Sequence, residues 1–325
     1  MSVDRRDFIK GVAAGAVGAG LVGMGGVDLL AAGKKSGKMK TRILGRTKLE
    51  VSVITYGCGG LREKTLKLLE AGVDRGINLF DTAWGYGRGE SERTIGKFLQ
   101  GRKDREKYFV LTKTSGFKAR ATAKETYESL KAAVQKDLKE RLKTDYIDIL
   151  MCPHGASSAS AVRNKALQEA LTRLKEEDEL IKWIGTSSHS NYAATCEAAI
   201  EDGFYDVLMP VMNVATENFA KAKVERPKEG EGKKKRWGRK PEDTANMMKL
   251  AKKKNVGMVI MKAANPGFLS SNVDDLLKAE FPKDSKLSRH QKLYSFALAT
   301  KGTSSVTVGI NALTHLKEAI ALGTA

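Results

Sequence analysis

The sequence predicts an α/β fold: a (β/α)8 TIM barrel preceded by a small β-hairpin. Three observations carry this. Eight short runs rich in apolar and β-branched residues recur from residue 51 onward. Most are continuous rather than alternating, as parallel strands buried on both faces require. The stretches between them are amphipathic at helical spacing, and strand–helix alternation over about 290 residues suits a closed barrel. A doubly wound sheet is the alternative, but it calls for GxGxxG after the first strand, and "YGCGGL" lacks that order.

Taken in order, "TRILGRTKLEVS" reads as the hairpin, with polar "GRTK" at its turn. The barrel strands are "VSVITYG" (51–57), "INLFDTA" (77–83), "YFVLTKT" (108–114) and "YIDILMC" (146–152). They continue with "LIKWIGT" (180–186), "DVLMPVMN" (206–213), "VGMVIMK" (256–262) and "SVTVGIN" (305–311). Among the helical stretches, 125–143 places Leu130, Val134, Leu138 and Leu142 every four residues, a single apolar stripe.

Residues 1–33 stand apart. Arg5 and Arg6 precede Phe8, Ile9 and Lys10, and a weakly apolar Gly/Ala-rich run follows to about Leu30. The glycines make a poor helix, and the run is short for a membrane span and interrupted by Asp28. It resembles a twin-arginine (Tat) export signal, whose RR-x-F-[LI]-K core is matched residue for residue. That implies Tat machinery as a partner and a periplasmic or extracytoplasmic location, by a route that carries folded proteins. Cleavage is expected near Ala31-Ala32-Gly33; left uncleaved, the segment would be a membrane tether. The glycines of "GAVGAGLVG" are in the wrong order for a dinucleotide loop, and no strand precedes them.

The remaining domain is 34–325, and the chain as a whole has an ordinary globular composition, with 41% hydrophobic and 29% charged residues. The net charge is +19, yet the lysines are spread through helical stretches and no nucleic-acid motif accompanies them, so nucleic acid is not an expected partner. Cys58, Cys152 and Cys196 are too scattered for a disulfide framework or a CxxC metal site; buried thiols and no metal are expected. One segment breaks the rhythm, 216–245, with ten Lys/Arg between Lys221 and Lys240 against three Glu. On a barrel it would overhang the catalytic face. It reads either as a solvated insertion or, with Trp237 in the basic run, as an attractor for an anionic ligand.

Barrel active sites gather at the C-terminal ends of the strands. Those ends supply Asp81, then Tyr86 in the next loop, Lys113 and His154. Charges interrupting apolar strands are costly unless paired, so Asp81 and Lys113 are expected to pair. An ammonium near a phenol stabilises phenolate, which leads us to expect a lowered Tyr86 pKa and a proton donor for a carbonyl oxygen. A histidine nearby can hydrogen-bond that oxygen.

From Lys40 to its end the chain resembles the aldo-keto reductase family. "TRILGRTKLEVSVITYGCGGL", "GINLFDTAWGYGRGESERTIGKFL", "VLTKT", "LKTDYIDIL" and "IGTSSHSN" stand in the family's order. The resemblance implies an NAD(P)(H)-dependent oxidoreductase, interconverting a carbonyl (aldehyde, ketone or sugar) and an alcohol by hydride transfer. It implies a catalytic Asp–Tyr–Lys–His tetrad on Asp81, Tyr86, Lys113 and His154, with Tyr86 as general acid. The family histidine stands one residue earlier, where this chain has Pro153, and His189 in "TSSHSN" is the rival. NADP(H) or NAD(H) would bind extended, without a Rossmann domain. Its candidate contacts are Ser187 and Ser188 (Ser-Asn in the family), Met209 (Gln) and Met261 (an aromatic), followed by Lys262. After the eighth strand come Gly309, Asn311 and His315. No arginine for a 2′-phosphate stands out. Met209, Met212, Met258 and Met261 read equally well as barrel core. His290 in "SRHQKLYSF" reads as structural. The departures on the cofactor side leave an alternative: a non-turnover dinucleotide- or ligand-binding barrel.

Overall fold

The computed structural model describes residues 9, 38–114, 117, 118, 120–223, 241–265 and 270–324. Residues 1–8 and 10–37, which hold the twin-arginine motif, lie outside the described residues, as do 224–240 with Trp237 and most of the basic insertion.

Strands β1 (Thr41–Ile43) and β2 (Glu50–Ser52) form the antiparallel hairpin, with Thr41 opposite Ser52 and Ile43 opposite Glu50. The eight barrel strands are β3 (Ile54–Gly57), β4 (Leu79–Asp81), β5 (Phe109–Lys113) and β6 (Ile147–Met151), then β7 (Ile181–Ser188), β8 (Val207–Pro210), β9 (Gly257–Ile260) and β10 (Ser305–Gly309). All pair in parallel, and β10 closes the barrel on β3, with Gly309 opposite Gly57. The expected run 51–57 is therefore two strands. Ser52 breaks it: its N–H is taken by Asn78 Oδ1 at 2.7 Å and its hydroxyl donates to Ile54 O at 2.6 Å, while Val53 bonds Lys40. The hairpin turn caps the start of β9. Gly45 there adopts φ +52°, and a Cβ would lie 2.2 Å from the Gly257 nitrogen, so backbone meets backbone.

The helical stripe is borne out. The helix Ala123–Lys136 opens on a capping box between Thr122 and Glu125, and Leu130 and Val134 are buried. It runs on as a π-turn, Asp137–Leu142, which buries Leu138 and Leu142. The three cysteines are free and buried. No helix among the described residues is long and apolar enough to cross a membrane. The described edges of the basic insertion are a short helix, Val214–Glu217, and a helix starting at Ala245.

Candidate active site

Asp81 is the last residue of β4 and Lys113 the last of β5, so both project at the C-terminal mouth. Lys113 Nζ donates to Asp81 Oδ1 and, at 2.8 Å, to the Thr82 carbonyl. Both side chains are about 7% exposed, so neither charge could persist there without the other. Tyr86 follows on a loop through three left-handed residues, Gly87, Arg88 and Gly89, into the helix Glu90–Leu99. Its carbonyl accepts from the N–H of Gly89 at 3.1 Å and Ser91 at 3.3 Å, and Ser91 Oγ donates to Cys58 O at 2.9 Å. A Cβ on Gly87 would strike the Arg62 guanidinium at 2.7 Å. The Tyr86 ring centre lies 5.3 Å from Lys113 Nζ.

A buried network holds β5 from behind. Thr112 Oγ1 donates to Glu92 Oε1 at 2.6 Å and Thr114 Oγ1 to Asp137 Oδ2 at 2.7 Å, the two residues flanking Lys113. Arg141 bridges both carboxylates, at 3.2 Å to Glu92 and 2.6 Å to Asp137. Alternation along the strand sends the threonines outward and Lys113 inward.

Burial raises the Asp81 carboxyl against the pull of Lys113. Burial opposes the Lys113 charge too, but Asp81 and Tyr86 outweigh it and hold the ammonium above the ordinary lysine value. The expectation of a lowered Tyr86 pKa is corrected. Burial dominates and raises the phenol, with Lys113 only partly offsetting it. Tyr86 is a protonated donor at neutral pH, and Lys113 is placed to stabilise the phenolate as it forms.

These residues border a cavity of about 620 Å³. Asp81, Tyr86 and Lys113 line it, as do Met209, Met261, Gly309 and Asn311 of the cofactor candidates. All four methionines are buried in the core, and Met209 and Met261 reach the cavity wall as well. His189 also lines the cavity, whereas His154 stands beside it on the exposed loop after β6. Burial and then Lys113 lower His154. Burial, Lys262, Lys113 and His154 lower His189 to about 4. Both rings are neutral donors or acceptors at neutral pH, and His189 has the better claim to the cavity.

Ser187, Ser188 and His315 are not brought into the cavity wall. Ser187 Oγ accepts from Gly155 N at 3.1 Å, and Ser188 Oγ donates to Ala156 O at 2.6 Å. With Thr186 Oγ1 donating to Pro153 O at 2.6 Å, they brace the loop that carries His154. His315 Nδ1 accepts from Asn311 N at 3.4 Å. His290, read from the sequence as structural, lines the cavity with Tyr294 from the helix Arg289–Ala299. Their i,i+4 spacing was the available signal. Lys262, noted in the sequence only as following Met261, also lines the cavity, as do Asn265 and Thr307, which the sequence reading missed.

The wall fits a nicotinamide dinucleotide in part. Met209 and Met261 offer an apolar face beside Tyr86, and a Cβ at Gly309 would meet nothing within 4 Å, leaving room for a ligand against that backbone. Among the described residues no group of His, Cys, Asp or Glu could hold a metal.

A model of the aldo/keto reductase family matches residues 59–321. An uncharacterized oxidoreductase of Bacillus subtilis, YqkF, is 32% identical over 156 residues, 46% of this chain and 49% of its own. The chain spans about half the length of the curated relatives it matches first. Among solved structures, the holo form of an aldo-keto reductase from Bacillus halodurans superimposes with a TM-score of 0.65 at 21% identity, covering 88% of this chain and 91% of that one. An aldo/keto reductase from Klebsiella pneumoniae in complex with NADPH gives 0.61 at 16%, covering 88% and 90%. These two likenesses show the fold.

Proposed function

The chain belongs to the aldo/keto reductase family, and from that premise we propose that it is an NAD(P)(H)-dependent oxidoreductase interconverting a carbonyl and an alcohol. The observation that carries the reading is Tyr86 held over the Lys113–Asp81 pair at the edge of the cavity. The bound dinucleotide would supply the hydride, as NADPH is the ligand named for the Klebsiella pneumoniae structure.

The protein's own residues account for the proton. A carbonyl oxygen lodged beside Tyr86 accepts a hydrogen bond from the phenol. As negative charge grows on that oxygen, the phenol proton crosses to it, leaving phenolate facing the Lys113 ammonium. Asp81 keeps Lys113 charged and aimed, so the ammonium need not reorganise at that moment. A neutral histidine N–H, from His189 in the wall or His154 at the rim, orients the carbonyl. Met209, Met261, Gly309 and Asn311 are the residues offered to hold the dinucleotide. Whether NADP(H) or NAD(H) is preferred follows from affinity.

The test is a fluorescence titration of the protein with NADPH and with NADH, followed by nucleotide oxidation with aldehydes, ketones and sugars. Saturable binding with turnover supports the reductase. Binding without turnover on any carbonyl supports the non-turnover barrel that the loss of the family's glutamine and aromatic, at Met209 and Met261, would suit. No binding of either nucleotide contradicts both.

We further propose that residues 1–33 direct the folded barrel through the twin-arginine route to an extracytoplasmic site. The support is the Arg5-Arg6-x-Phe8-Ile9-Lys10 core. Fractionation of cells making the Arg5→Lys, Arg6→Lys double variant tests it; unchanged distribution contradicts export.

A further inference from the structure

We propose that Arg62 is a positioning residue for the proton-transfer step: its guanidinium clamps the turn that carries Tyr86 against the loop after β3, and so fixes where the phenol stands relative to Lys113. Arg62 is not a lining residue of the cavity, so its effect, which rests on the carbonyl-reducing reading of the site, runs through Tyr86.

Arg62 is held at its own backbone. Its N–H donates to Thr65 Oγ1 at 3.0 Å, and that hydroxyl donates back to the Arg62 carbonyl at 2.9 Å. From this anchored turn the guanidinium reaches in three directions. Nη1 donates to the Leu61 carbonyl at 2.7 Å and to the Gly59 carbonyl at 3.4 Å, both on the loop after β3. Nε pairs with Glu90 at 3.1 Å, the first residue of the helix Glu90–Leu99. The group also packs on Gly87: a Cβ built there would lie 2.7 Å from Cζ and 2.9 Å from both Nη atoms. Gly87 is left-handed at φ +58°, so a side chain there would be strained as well as crowded. A planar fork can serve all three directions at once, which a point-like ammonium cannot.

Gly87 directly follows Tyr86, so what fixes the one constrains the other. At the far end of the same turn, a Cβ on Gly89 would lie 2.9 Å from Arg141 Nε and 3.0 Å from Arg93 Nη1. Arginines therefore cover the turn at both glycines. Arg141 is also the residue that bridges Glu92 and Asp137 behind Lys113, so that side of the turn is tied to the lysine's own strand. Arg62 supplies the opposite side. It ties the turn to Gly59, a cavity-lining residue whose Cβ would lie 3.9 Å from Tyr86 Cε2.

The ion pair is the smaller part of this clamp. Its side chains are 31% and 41% exposed, and pairs so open to water contribute little. The bonds to the two carbonyls and the contact on Gly87 carry it. A catalytic group displaced by about 1 Å loses much of its rate, so a loosened turn should show in turnover before it shows in nucleotide affinity.

The test compares the full-length enzyme as wild type, Arg62→Met and Lys97→Met. Lys97 pairs with Glu63 at 2.6 Å, a second link between the same two segments, and controls for tethering alone. With NADPH and a carbonyl the enzyme reduces, Arg62→Met should lose about tenfold in kcat, with a larger solvent deuterium isotope effect and an NADPH dissociation constant within about twofold of wild type. Lys97→Met should match wild type in all three. An unchanged kcat in Arg62→Met, equal losses in the two variants, or a loss with the isotope effect unmoved overturns the proposal. Should wild type reduce no carbonyl, the reductase reading fails by itself, and the clamp is read without turnover. In protein labelled with 13C at tyrosine Cζ, the Tyr86 resonance is the one missing from Tyr86→Phe. Burial holds that phenol above its ordinary value, and its titration midpoint should fall toward that value in Arg62→Met as the turn opens to water. An unmoved midpoint overturns the clamp.

Discussion

Glu92 gives the sharpest prediction about stability. Its side chain is wholly buried, accepting from Thr112 and facing Arg141. Burial, reinforced by Asp137, pushes its carboxyl up to about 7 from the ordinary 4.5, with Thr112 and Arg141 only partly opposing. The folded protein therefore binds the Glu92 proton more tightly than the unfolded chain does. Stability from that proton is complete below about pH 4.5 and is lost as pH rises through about 7. A shift of 2.5 units, 7 minus 4.5, corresponds to about 3 kcal/mol across that window. The assay is urea unfolding of wild type and Glu92→Gln at a series of pH values between those limits. Titrating groups remote from Glu92 act equally in both proteins, so the difference reads Glu92 together with its coupling to Asp137. Wild type should lose about 3 kcal/mol relative to the variant as pH rises. A difference that stays flat over the interval refutes the assignment.

Three further outcomes follow from the site. Tyr86→Phe removes the proton donor and should lower kcat by about 10²-fold or more, read from initial rates of nucleotide oxidation. Lys113→Met leaves the Asp81 charge buried and unpaired, which should cost about 3–5 kcal/mol of unfolding free energy, much of it recovered when Asp81→Asn is added. Because His189 is lowered to about 4 and His154 also lies below its ordinary value, the pH–rate profile should show no histidine limb near 6.5. A limb at that value, abolished in His189→Asn, would contradict the cavity electrostatics.

What the sequence made legible was whatever local pattern dictates. All eight barrel strands could be read because burial on both faces makes them continuous apolar runs, and Asp81 and Lys113 stood out as charges ending such runs. The break at Ser52 and Val53 was hidden because the apolar run continues through it; part of what separates hairpin from barrel is the bond from Ser52 N–H to Asn78 Oδ1, distant in sequence. Ser187 and Ser188 looked like ligand contacts, but their hydroxyls brace the neighbouring loop, a choice made by tertiary approach. The Tyr86 phenol was misjudged for a related reason: a nearby lysine is visible in sequence, whereas the burial that outweighs it is not. His290 and Tyr294 needed the orientation of a whole helix before they could be placed in the wall.

The most direct test of the central claim follows an atom. Enzyme supplied with NADPH deuterated at the transferable position of the nicotinamide, together with an aldehyde it reduces, should give alcohol carrying one deuterium on the carbinol carbon, read by mass spectrometry. Deuterium in the product from wild type, absent or severely reduced with Tyr86→Phe, is the predicted result. Alcohol formed without deuterium, or label transfer undiminished in Tyr86→Phe, would contradict a hydride-transferring site built on Tyr86, Lys113 and Asp81.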